Sequence, residues 1–196
     1  MKKIRYHVAM SLDGFIAGPN GEADWIVSDP EVDFAALWAQ FDTLLMGRLT
    51  YAAAVSRLGE AAFQGPRVVV VSRTLNPADH PGITVINHLT AAQLQTLRTQ
   101  PNAHLGNNKS QKDYDKKIDD KKDVEEKDIW LMGGGALFRS LLEMRQVDTV
   151  EVSVMPVLLS AGIPLLSSPA NPAKLTLTSQ KIYPSGIVSL VYAVQH

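Results

Sequence analysis

Residues 128–139 read Asp-Ile-Trp-Leu-Met-Gly-Gly-Gly-Ala-Leu-Phe-Arg, and the three consecutive glycines leave few folds open. Ile129 to Met132 is an apolar run of a length suited to a strand inside a sheet. Gly133, Gly134 and Gly135 then strip every Cβ from the turn, and Ala136 to Met144 continues as a helix. A buried strand passing into a helix in this way is the building unit of an α/β sheet. The turn also leaves bare backbone N–H groups at a helix N-terminus, whose partial positive charge faces outward. Phosphates bind in such places. Glycines there can equally serve packing alone, letting a helix approach its strand. The G-x-G-x-x-G fingerprint is not met, because Phe138 stands where the last glycine belongs, so any nucleotide would bind by a route other than the ordinary Rossmann one.

The same pattern recurs along the chain. Ile4 to Met10 reads as a strand and ends in Ser11-Leu12-Asp13-Gly14-Phe15-Ile16-Ala17, with turn signals continuing to Gly21. Residues 17–24 are expected to form a mobile loop. Asp29 followed by Pro30 reads as a helix start, with Asp29 as N-cap, and Phe34, Leu37, Trp38 and Phe41 fall on one face beyond it. Thr43 to Met46 is a short buried strand that gives way to Gly47-Arg48-Leu49-Thr50-Tyr51. Val68 to Val71 is another, ending in Ser72-Arg73-Thr74. Small, hydroxyl or basic residues thus follow three strand ends, which in an open α/β sheet would together line the ligand crevice. Ile83–Ile86 and Val147–Met155 complete the strands of this part, and Ala91–Arg98 is a helix. Leu175–Tyr183 and Ile187–Val194, split by Pro184-Ser185-Gly186, form a hairpin. The expected fold is α/β, a mixed and mostly parallel sheet of eight strands flanked by about four helices, with an antiparallel hairpin at the C-terminus.

Composition excludes several functions. A formal charge of −1 gives no electrostatic case for nucleic acid or a membrane surface. The chain has no cysteine, hence neither disulfides nor a thiolate metal site. His7, His80, His88, His104 and His196 lack metal-ligand spacing, so no metal is expected. With neither a signal-peptide core nor a membrane-length apolar run, the expectation is a soluble cytoplasmic protein.

One segment stands apart. Fifteen of the twenty residues from Lys109 to Asp128 are charged. The chain is read as one domain over 1–196, carrying a charged low-complexity insertion at 107–126 in a surface loop, where added length costs little closure entropy. Tyr114 and Ile118 share a helical stripe there, but the apolar content is too low for the segment to fold alone.

Taken together, the segments Ser11–Ala17, Met46–Tyr51, Val71–Arg73 and Met132–Gly135 resemble the dihydrofolate reductase-like family. Within it they are most similar to the reductase domain at the C-terminus of the riboflavin-pathway deaminase/reductase, RibD. The resemblance covers nearly the whole chain apart from the insertion. It implies NADPH as cofactor and hydride donor. By that likeness Gly47, Arg48 and Thr50 meet the diphosphate and 2′-phosphate, and Ser72 and Arg73 reach the 2′-phosphate. Gly133, Gly134, Gly135, Ala136 and Leu137 cover the diphosphate. Ala9 and Ile16 flank the nicotinamide, and the loop from Ala17 to Asp24 is a lid. Arginine and hydroxyl donors suit a dianionic phosphate.

For the substrate, the resemblance implies a small heterocycle or a ribosylaminopyrimidine phosphate reduced at its ribose. Trp25 matches the tryptophan that closes the pocket of folate reductases, and Ser153 lies on the strand facing that pocket. Asp13 is a further candidate catalytic group, although Asp before Gly is more often structural. The carboxylate that folate reductases carry early in the next helix has no clean match in Asp29-Pro30-Glu31. No strong general acid is visible, leaving catalysis to the orientation of donor and acceptor. A homodimer is expected by likeness to the family. Two alternatives stay open: a nucleotide-binding module without turnover, and an engineered scaffold whose point of interest is the charged insertion.

Overall fold

A computed structural model describes residues 1–100 and 127–196. The insertion read at 107–126 lies outside the described residues. Within them the chain forms, in order, β1 (Ile4–Ser11), β2 (Phe15–Ala17), α1 (Phe34–Ala39), β3 (Phe41–Gly47), α2 (Arg48–Leu58), β4 (Arg67–Val71) and β5 (Thr84–Ile86). There follow α3 (Ala91–Thr99), β6 (Asp128–Gly133), α4 (Gly135–Glu143), β7 (Thr149–Met155), β8 (Ile163–Pro164), β9 (Leu175–Ile182) and β10 (Val188–Val194).

Eight strands make one sheet in the order β5-β4-β3-β6-β1-β7-β10-β9. The six from β5 to β7 run parallel, and β10 is antiparallel to both β7 and β9. Strand β6 enters between β1 and β3, so the glycine turn behind it sits mid-edge.

Alternating side chains divide the core into two layers, as strand geometry requires. Ile4 and Tyr6 of β1, Leu45, Val69, Ile129, Leu131, Val150 and Val152 pack against Leu94 and Leu97 of α3 and Phe138 and Leu141 of α4. On the other face Leu44, Met46, Val68, Val70 and Trp130 meet Tyr51 of α2, with Leu37 and Trp38 of α1 against them. The rings of Trp38 and Trp130 meet edge-on at 5.1 Å, which places both tryptophans in packing.

Two readings need correction. The first helix begins at Phe34, capped by the Asp33 carboxylate, which accepts from Ala36 N–H. Asp29 is instead buried. Its carboxylate accepts from the N–H of Glu31 at 2.8 Å and from that of Ser185, in the hairpin turn, at 2.9 Å. A long-range partner has outcompeted local capping. Phe34, expected on the inward face, is exposed. The second correction is an added pairing: β2 and β8, read as turn and loop, form a short antiparallel ladder. None of the described helices is long and apolar enough to cross a membrane.

Candidate cofactor and substrate site

Because β3, β4 and β6 are parallel neighbours, their C-terminal ends share one edge. The register is level between β3 and β4, where Gly47 pairs with Val71, and offset by one residue on β6, where Met46 pairs with Gly133. Arg48, Ser72 and Gly134, the next residue on each strand, therefore emerge side by side.

Glycine makes the approach possible. A Cβ built on Gly134 would lie 3.6 Å from Thr50 Oγ1. One built on Gly133 would lie 3.8 Å from the Tyr6 ring, and 4.0 Å from both Ile16 Cδ1 and Thr50 Oγ1. Gly133 has φ +112°, a conformation that side chains rarely adopt. Gly135 serves packing: its Cβ would stand 2.5 Å from the Pro164 carbonyl oxygen and 3.2 Å from that of Leu165. That segment is held over the N-terminus of α4 by Tyr6 Oη–H donating to the Leu165 carbonyl and by the Leu165 N–H donating to that of Gly14. Phe138 stacks on Tyr6 beneath the turn, ring centroids 3.9 Å apart.

The helix starts differ in a way that bears on binding. Each helix begins with N–H groups that have no partner within the helix. In α1 and α3 side chains satisfy some of them, through Asp33 and through a capping box of Thr90 and Gln93. The N-caps of α2 and α4 are Gly47 and Gly134, with no side-chain cap. These two uncapped starts are the ones that face each other at the strand-end edge. The first N–H groups of α4 belong to Gly135, Ala136 and Leu137, and those of α2 to Arg48, Leu49 and Thr50. Arg48 and Arg73 are exposed and make no ion pair with the described residues. Bare amides, a hydroxyl and two exposed guanidinium groups fit the phosphates of a dinucleotide. The Ser72 hydroxyl oxygen accepts from Thr74 N–H at 3.1 Å and Leu75 N–H at 2.9 Å, so it shapes the turn that carries Arg73 outward.

The substrate-side residues divide. Ala9 pairs with Ser153 across β1 and β7. Both face away from the layer containing Val8, Met10, Val152 and Val154. Trp25 is half-buried in the loop before α1, its indole N–H donating to the Glu22 carbonyl. That loop is tied to α2 by Arg57, which donates to the Ala23 carbonyl. Asp13 works as a clamp. Its carboxylate accepts from the Ser11 hydroxyl and from the N–H groups of Leu159 and Ser160, joining the β1 turn to the loop after β7. Those hydrogen bonds, the one from Ser11 foremost, hold it below the usual carboxylate range.

A further cluster went unnoticed in the sequence. Glu151 is buried, and it accepts from Arg5 Nε at 2.6 Å, Arg5 Nη2 at 2.8 Å, Thr149 Oγ1 at 2.7 Å and His7 Nδ1 at 3.2 Å. Burial, the largest single influence, pushes its pKa upward. The hydrogen bonds and the charge of Arg5 outweigh it, leaving the carboxyl at about 2. The available signal was a charged residue inside the run Val-Glu-Val, which needs a partner when buried.

Among the described residues no group of three or more His, Asp or Glu side chains is placed to hold a metal ion. A cavity of about 490 Å³ lined by Arg139, Arg145, Lys174 and His196 lies at the far end of α4, away from the strand-end edge.

The family model of the RibD C-terminal domain matches residues 2–189. The uncharacterized protein YyaP of Bacillus subtilis is 28% identical over 97% of this chain and 94% of its own length. A crystal structure of a putative riboflavin biosynthesis protein from Shewanella sp. PV-4 superposes with TM-score 0.72 at 20% identity, covering both chains fully. Dihydrofolate reductase from Enterococcus faecalis, complexed with NADP(H), gives TM-score 0.63 at 14% identity, over 99% of this chain and 97% of that one. The fold is dihydrofolate reductase-like.

Proposed function

The chain belongs to the RibD C-terminal domain family, and from that premise we propose that it is an NADPH-dependent reductase of a small heterocyclic or ribosylaminopyrimidine-type substrate. The observation that carries this reading is the pair of uncapped helix starts, α2 and α4, meeting at the ends of adjacent parallel strands beside Arg48 and Arg73, two exposed arginines with no ion pair among the described residues. The first N–H groups of both helices hold the diphosphate, with Thr50 Oγ1 between them. Arg73 and Arg48 take the 2′-phosphate, which selects NADPH over NADH. Ala9 and Ile16 set the nicotinamide against the face that carries Ser153, and Trp25 closes the pocket. When bound, the cofactor supplies the hydride. The protein's part is to orient the acceptor and keep water out.

A second reading, a nucleotide-binding module without turnover, draws support from Asp13 and Asp29, whose carboxylates are both engaged by backbone N–H groups. Oxidation of NADPH in the presence of dihydrofolate or a ribosylaminopyrimidine phosphate separates the two. Turnover with either acceptor supports the reductase, and NADPH binding without turnover across the panel supports the module.

The functional unit on this reading is a homodimer. Its support is β9, the outermost strand, exposed along its whole length with Leu175, Leu177 and Ile182 in contact with solvent. Such an edge is a template for pairing. Sedimentation velocity tests it: a particle of twice the chain mass is expected, and a monomer at all concentrations contradicts it.

A further inference from the structure

Among polar groups outside the strand-end edge, the Arg5–His7–Glu151 cluster carries the most chemistry. Ile4, Tyr6, Val8 and Met10 point into one core layer. Arg5, His7 and Ala9 therefore share the opposite face of β1. In register, His7 pairs with Glu151 and Ala9 with Ser153. The His7–Glu151 pair thus lies two residues along the same face, roughly 6.6 Å by strand rise, from the place where the proposed function puts nicotinamide and substrate.

The tautomer follows from the contact. An ionised carboxylate can only accept, so His7 Nδ1 carries the proton directed at Glu151 Oε2. Nε2 is left facing outward, with no hydrogen-bond partner among the described residues, and the side chain is 18% exposed. The imidazole is fixed edge-on to Trp130, ring centroids 5.5 Å apart, and the Trp130 indole N–H donates to the His7 carbonyl. A carboxylate holding one ring nitrogen while the other stays open is the usual arrangement for orienting an acid–base histidine.

We propose that His7 contacts the substrate through Nε2 and supplies the proton of the reduction, with Glu151 as its positioning residue. The inference rests on the reductase reading. Reducing a C=N or C=O bond takes one hydride and one proton. As the C–H bond forms, the π pair moves to the heteroatom, which takes the Nε2 proton of a His7 ring protonated on both nitrogens. Neutral His7 keeps its Nδ1–H on Glu151 and regains the Nε2 proton from solvent. Among the described residues the charged groups around the ring are Glu151 from β7, Arg5 on its own strand, and Asp128 of β6, 3.4 Å from Arg5. Lys181 of β9 is occupied by Glu31 and by the Tyr183 ring. Substrates of the class are heterocyclic imines, or ribosylamines that open to imines, whose nitrogen needs a proton as its carbon is reduced.

The test compares the full chain with His7→Gln, using a ribosylaminopyrimidine phosphate and dihydrofolate as probes. Expected is a fall in kcat of roughly 10²–10⁴-fold, loss of the high-pH limb of the wild-type kcat profile, and unchanged NADPH affinity. Glu151→Gln, which loosens the hold on Nδ1, is expected to lower kcat by less than His7→Gln does, with KM for either probe unchanged. A second readout needs no turnover: nitrogen NMR of labelled histidine, with His7 assigned by its loss in His7→Gln. Its Nε2 resonance is expected to shift when either probe is added. Equal turnover in His7→Gln, or no Nε2 shift with either probe, overturns the proposal. A shift without wild-type turnover keeps the contact and overturns the reductase reading on which the proton transfer depends.

Discussion

Gly134 faces Thr50 across the ends of β6 and β3, and a Cβ built on the glycine would lie 3.6 Å from the threonine hydroxyl oxygen. Neighbouring Gly135 has no such room, since its Cβ would come within 2.5 Å of the Pro164 carbonyl oxygen. Two adjacent glycines thus do different work, one leaving space and one allowing contact.

Substitution separates them. Gly134→Ala keeps ordinary van der Waals distances, so Tm is expected to stay close to wild type. Its methyl group occupies the gap proposed for the diphosphate, and the NADPH Kd is expected to rise about tenfold or more, a loss of at least ~1.4 kcal/mol. Gly135→Ala forces backbone apart and is expected to cost about 1–3 kcal/mol of stability. Urea unfolding and calorimetric titration of both variants check the contrast.

Arg73 projects from the turn shaped by Ser72 and has no ion-pair partner among the described residues. Arg73→Ala is expected to weaken NADPH binding by about 1.5–3 kcal/mol, the range for a hydrogen bond to a charged group. NADH, which lacks the 2′-phosphate, is expected to bind the variant and the wild type alike. Parallel titrations with the two cofactors measure the difference.

The Glu151 carboxyl is held at about 2, below an ordinary value of 4.5. Between those values the unfolded chain binds more protons than the folded one, so the contribution rises with pH in that window. It is complete above 4.5 and lost as pH falls toward 2. Glu151→Gln is expected to flatten the acid limb of stability by up to about 3 kcal/mol. Urea unfolding at pH 6 and pH 3 gives the comparison, with the wild type losing more than the variant.

Asp13 joins two loops by accepting from Ser11, Leu159 and Ser160. Asp13→Asn is expected to lower Tm while leaving NADPH affinity unchanged. Thermal unfolding and a cofactor titration on one preparation decide whether the clamp is the residue's task.

The parallel strands and their glycine- or hydroxyl-marked ends were legible because each is local: an apolar run followed by a residue type suited to a turn. Val68 to Val71 and Gly133 to Gly135 needed no knowledge of partners. The start of α1 was misread for the opposite reason. Asp29-Pro30 has the local form of a helix cap, yet the Asp29 carboxylate is claimed by Ser185, far along the chain. Glu151 stayed hidden likewise, since its meaning depends on β7 lying beside β1, which spacing along one strand does not reveal. The β2–β8 ladder, with Phe15 opposite Pro164 and Ala17 opposite Ile163, is too short to leave a periodic trace.

Phosphorus NMR of NADPH with the full chain tests the central claim most directly, because it reports the diphosphate and the 2′-phosphate separately. If the starts of α2 and α4 hold one and Arg73 with Arg48 the other, both sets of resonances will shift on binding. Gly134→Ala will suppress the first shift and Arg73→Ala the second. Resonances that stay at their free positions in excess protein would contradict the account.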